Sequence, residues 1–107
     1  MAAVRILVDT DIFIDYFNAG QYAGVLEDRQ ATIYYSVVTR KELLGFRLVP
    51  LTPAIAARYA AVRRSTPGLE REDALIAATA LDKRLPLMTR NWRRFRRVPG
   101  LTLYSGR

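Results

Sequence analysis

Two aspartates one residue apart, Asp9 and Asp11, close the apolar run Ile6-Leu7-Val8. A carboxylate placed directly after a buried strand is costly to desolvate unless something cationic answers it. Three further residues suited to the same chemistry follow at wide intervals: Glu42, Asp73 and Asn91. Each has an ordinary structural use as well. Asp11 can cap the helix that follows, Asp73 suits a first helical turn through the dipole, Glu42 can stand on a solvated helix face, and Asn91 suits a turn. Jointly these uses weaken, because carboxylates brought to about 4 Å repel by roughly 4 kcal/mol at an effective dielectric of 20. A divalent cation converts that repulsion into binding, and a set of oxygen ligands selects a hard ion, Mg²⁺ or Mn²⁺.

Composition narrows the alternatives. The chain has no cysteine and no histidine. That excludes disulfides, thiolate and imidazole metal sites and any Ser-His-Asp or Cys-His arrangement. Catalysis is left to carboxylates, a metal, lysine or tyrosine. The 107 residues fit one domain, 1–107, and half of them are hydrophobic. Seventeen Lys and Arg against ten Asp and Glu leave a net charge of +7, which favours a polyanion, either nucleic acid or an acidic protein segment, or else a solvated basic surface. No apolar stretch is long enough to span a membrane, and no charged start precedes a long apolar core, so a cytoplasmic location is expected.

The elements that must position these residues alternate. Val4 to Val8 lacks clean alternation and reads as a strand buried on both faces of a parallel sheet. In such sheets ligands gather outside the carboxyl ends of the strands, where Asp9 and Asp11 fall. A helix over Asp11 to Asn18 follows, with Asp15 on the same face as Asp11. A short helix is expected around Tyr22 to Asp28, a second strand over Ala31 to Ser36, a helix from Val37 to Phe46 carrying Glu42, and an edge piece at Leu48 to Leu51, where Pro50 cannot donate to a central ladder. Thr52-Pro53 starts a helix to about Arg64. Glu70 to Lys83 is the most helical stretch, with a small-residue face at Ala74, Ala77 and Ala78. Strands over Pro86 to Thr89 and Leu101 to Tyr104, separated by a polar turn at Asn91, complete an α/β pattern with a parallel sheet.

Four ordered stretches carry a family resemblance: Val8-Asp9-Thr10-Asp11-Ile12 through Asp15; Ser36-Val37-Val38-Thr39 with Glu42; Asp73-Ala74-Leu75-Ile76-Ala77-Ala78-Thr79-Ala80; and Thr89-Arg90-Asn91 through Phe95 to Leu101. Together they resemble the PIN-domain ribonucleases, and among them the VapC toxins of type II toxin-antitoxin pairs. The resemblance implies a three-layer α/β/α fold with about five parallel strands and Mg²⁺- or Mn²⁺-dependent endonuclease activity on RNA. It also implies that Asp9, Glu42, Asp73 and Asn91 form the catalytic metal site. Thr10, Asp11 and Thr89 are expected to support that site. A VapB-like antitoxin and a homodimer are the implied partners.

Two departures from the family pattern stand out. The position three residues after Asn91, often acidic, is Arg94. The chain also passes from Phe46 almost directly to Leu51, without the additional helical hairpin that in the family serves dimerisation and antitoxin binding.

Arg90, Arg93, Arg94, Arg96 and Arg97 surround Trp92 and Phe95. Guanidinium groups match phosphate and aromatic rings stack on bases, so this segment reads as a single-stranded RNA platform with Arg90, Arg93 and Arg94 as RNA contacts, or as core aromatics beneath a solvated basic face. Two other functions are weighed. The pattern Asp9-Thr10-Asp11 superficially fits a haloacid-dehalogenase-type phosphatase, but no Asp-Asp pair occurs and Lys41 and Lys83 are the only lysines. A shortened, catalytically weak PIN fold that binds RNA or protein is the second alternative.

Overall fold

The computed structural model describes residues 4–36 and 47–104. The expected Val37 to Phe46 helix, and with it Glu42, lies outside the described residues. Four strands, β1 (Val4–Val8), β2 (Ala31–Ser36), β3 (Arg47–Val49) and β4 (Leu87–Met88), form a parallel sheet in the order β3-β2-β1-β4. β1 is central, as its unbroken apolar run requires. Its Ile6 and Val8 enter one core with Ile12, Phe13, Leu26, Ile33 and Met88, whereas Leu7 enters the opposite core with Ile55, Val62, Ala74, Ala77, Ala78 and Phe95. Burying both faces of one strand makes the architecture three-layered.

Helices α1 (Thr10–Ala19) and α2 (Ala23–Leu26) cover the first face. α3 (Pro53–Ser65), α4 (Arg71–Lys83) and a single turn, α5 (Trp92–Phe95), cover the second. Local signals set the helix ends. Thr52 Oγ1 accepts the Ile55 N–H at 3.2 Å and Pro53 occupies the first turn of α3. α1 ends at Gly20, whose φ of 71° is the left-handed conformation that lets its N–H return to the Tyr16 carbonyl. Alanines 74, 77, 78 and 80 bury fully, so α4 packs closely on the sheet and on α3.

Three expectations change. The fifth strand is reduced to one parallel bridge, Leu87 to Leu103, because β4 has only two residues for it to pair with. The cap of α1 is Asp9, not Asp11. The polar turn at Asn91 leads into α5, held by Phe95, which is wholly buried. The edge position of β3 and the short link between β2 and β3, residues 37–46, agree with a PIN fold lacking the hairpin.

Candidate acidic site at the strand ends

Asp9 leaves β1 with both carboxylate oxygens engaged. Oδ1 accepts the Thr10 backbone N–H at 2.7 Å, and Oδ2 accepts the Thr89 hydroxyl at 2.7 Å. These two bonds tie the end of β1 to the start of α1 and to the residue after β4. Burial pushes the Asp9 carboxyl up to about 6, the charge of Asp11 adds to the rise and Asp73 contributes slightly, while the two hydrogen bonds oppose it. Thr89 Oγ1 also accepts the Asn91 N–H at 3.1 Å, so one hydroxyl links Asp9 to the α5 segment.

Asp11 sits in the first turn of α1 and faces that segment as well. Its Oδ2 accepts from Asn91 Nδ2 at 3.1 Å and from the Arg90 N–H at 3.3 Å. Burial raises its carboxyl above the usual range, with the Arg90 N–H and guanidinium opposing. The Arg90 side chain spans two acids, with Nε 3.6 Å from Asp11 and Nη1 3.2 Å from Asp15. Asp73, in the first turn of α4, is buried and also raised, chiefly by burial; Arg94 opposes, and Glu70, Glu72 and Asp11 add to the rise. Its Oδ2 is inaccessible and without a hydrogen-bond partner, and Arg94 Nη2 stands 3.4 Å away.

The sequence reading therefore meets the structure unevenly. Asp9, Asp73, Thr89 and Asn91 reach one sheet edge as expected, and Thr10 supports Asp9 through its backbone. The Asn91 amide turns to Asp11, which draws Asp11 into the network more firmly than a supporting role implies. Arg90 and Arg94 are engaged by acids, a pairing that residue types alone could not assign. Among the described residues no three acidic side chains stand together in a group able to hold an ion, and Glu42 lies outside those residues. Asp15 was legible by its four-residue spacing from Asp11. Tyr104, which borders the site beside Trp92, carried no sequence signal beyond its place at the end of the last expected strand.

Residues 27–101 match the PIN domain family model. The chain is a PIN domain. A search of curated proteins finds no match. Among solved structures, a toxin-antitoxin complex from Klebsiella pneumoniae is 31% identical, with a TM-score of 0.72 over 91% of this chain and 95% of that one. VapBC2 from Rickettsia felis, bound to a promoter DNA fragment, superposes with a TM-score of 0.81 at 19% identity, over 94% and 98% of the two chains. FitAcB from Neisseria gonorrhoeae gives 0.74 at 21%, over 92% and 96%.

The family match begins after Asp9, while the structural matches span most of the chain. The donor chemistry at this edge, though not a closed acidic cluster among the described residues, is the kind a hard divalent ion takes. Asp73 Oδ2 is a buried anionic oxygen lacking a hydrogen bond, Asp9 is a desolvated carboxylate close enough to feel its charge, and every donor in the set is oxygen or amide. Among the described residues no helix is long and apolar enough to cross a membrane.

Proposed function

We propose that this PIN domain is a metal-dependent endoribonuclease, the VapC-like toxin of a toxin-antitoxin pair. The observation that carries the reading is the buried Asp73 Oδ2, which has no hydrogen bond and only the Arg94 guanidinium at 3.4 Å, together with a desolvated Asp9 at the carboxyl edge of a parallel sheet. Asp9 and Asp73, with Asn91 and with Glu42 from the segment outside the described residues, would hold one Mg²⁺ or Mn²⁺. When bound, such an ion supplies positive charge for the oxygens of a reacting phosphodiester and acidifies the attacking water.

The chain's own groups do the rest. The Thr89 hydroxyl and Thr10 N–H fix both oxygens of Asp9, so its orientation is set before any ligand arrives. Asn91 and Arg90 hold Asp11, keeping a second negative group at the mouth. Arg93 and Arg94, exposed beside them, would meet RNA phosphates, Arg94 by exchanging Asp73 for a phosphate.

An antitoxin partner would have apolar surface to meet. Ile14 and Phe17 of α1 are 51% and 56% exposed, and Leu51, Ala56, Tyr59 and Leu75 line a separate apolar groove. Exposed apolar surface of this kind suits a VapB-like antitoxin or a second copy of the chain. The Arg94 to Asp73 pair favours one competing reading, a PIN fold that binds RNA without cutting it, since a guanidinium already answers the carboxylate.

Cleavage of labelled single-stranded RNA separates them. The nuclease reading expects cutting with Mg²⁺ or Mn²⁺, none with EDTA, and an Asp9→Asn chain that binds RNA but does not cut. Equal cutting by both chains would place the chemistry elsewhere, and no cutting by the folded wild-type chain would leave the binding module.

A further inference from the structure

Beside the acidic edge lies a cavity of about 370 Å³ bordered by Leu87, Thr89, Trp92, Leu103 and Tyr104. The cleavage chemistry has no use for it. Two of its walls are aromatic, and Thr89 joins it to Asp9 through the 2.7 Å bond between their side chains. Phe95 is the aromatic that anchors α5 in the core, wholly buried, whereas Trp92 one turn earlier stays 43% exposed. Core packing therefore explains Phe95 and leaves Trp92 without a structural task. The guanidinium carbons of Arg93 and Arg96 stand over the Trp92 ring, 4.9 and 5.4 Å from its centre.

We propose that this cavity is a nucleobase subsite, in which a base of single-stranded RNA next to the scissile phosphate stacks on Trp92 as the exposed Arg93 and Arg96 side chains leave the ring for the flanking phosphates. The placement next to the reacting bond rests on the nuclease reading above. Its volume lies near the lower end of the roughly 300 to 1,000 Å³ usual for ligand pockets, room enough for one ring system. Aromatic rings accept every base by its face, and nearby arginines supply the charge that a phosphate backbone seeks. Of the pocket's polar groups, the Thr89 hydroxyl is already committed, since it donates to Asp9 and accepts from the Asn91 N–H, and the Tyr104 hydroxyl and Trp92 indole N–H also border it. Stacking on Trp92 ranks the bases by the size of their ring systems, with purines above pyrimidines.

Trp92 is the only tryptophan in the chain, so its fluorescence reports this cavity alone. The test titrates the Asp9→Asn chain in EDTA with oligo-A and oligo-U RNA, following fluorescence and, with labelled RNA, anisotropy. Saturable quenching, tighter for oligo-A by several-fold, is expected. Trp92→Leu should weaken RNA binding about tenfold and Trp92→Phe should restore most of it. Binding seen by anisotropy that leaves Trp92 fluorescence unmoved overturns the subsite, as does an unchanged affinity in Trp92→Leu or no RNA binding at all. Failure of the nuclease reading shows separately, as absent cleavage by the wild-type chain with metal, whatever Trp92 reports.

Discussion

Asp9 is held under electrostatic strain. Its carboxyl is pushed up to about 6 from an ordinary value of 3.8, a shift that corresponds to about 3 kcal/mol at neutral pH. Because the folded state holds this proton more tightly than the unfolded one, the stabilisation is complete below the ordinary value and is lost as pH rises through about 6. Thermal denaturation of the metal-free chain should therefore show stability falling between about pH 4 and pH 6.5. Asp9→Asn should flatten that fall and raise stability at pH 7 by about 1 to 2 kcal/mol, since the amide keeps one acceptor oxygen and loses the charge. An unchanged pH profile would mean Asp9 is not strained. The sequence made Asp9 and Thr89 legible because strand ends in parallel sheets have a known facing. The capture of Asp11 by Asn91, and of Asp73 by Arg94, was not legible, because it depends on side-chain directions within a single short turn.

That turn is α5. Asn91, Trp92, Arg93 and Arg94 are all placed by it, and Phe95 is the side chain that fixes it to the core on the α4 face. Phe95→Ala should cost about 3 to 5 kcal/mol and, in whatever folded fraction remains, loosen Asn91 and Arg94, read as weaker metal binding alongside a lower denaturation midpoint. A stability loss below about 1 kcal/mol would mean that α5 is held by something else. β1, the glycine end of α1, the capped start of α3 and the small-residue face of α4 were readable from periodicity, caps and turn residues, whereas the cap of α1 was read two residues late. α5 was not, since one turn leaves no period to detect. The expected last strand fell short because β4 offers it a partner only two residues long.

For the molecule as a whole, the charge of +7 would set how the proposed nuclease meets RNA. Each phosphate contact adds about 0.7 to the slope of log affinity against log salt for a single strand. Arg93→Gln should weaken RNA binding uniformly across sequences and reduce that slope by about 0.7; an unchanged slope would remove Arg93 from the interface. The basic charge was readable from composition, whereas the three-layer packing that brings Asp9, Asp73 and the arginines to one edge needed the fold. The central claim is that this edge holds a divalent ion, and Mn²⁺ binding followed by electron paramagnetic resonance tests it most directly. One ion per folded chain is expected, bound more weakly below pH 6 as Asp9 takes up its proton, bound more tightly in Arg94→Gln, and lost in Asp9→Asn or Asp73→Asn. Saturable binding that survives both aspartate substitutions, or none to the folded wild-type chain, would contradict it.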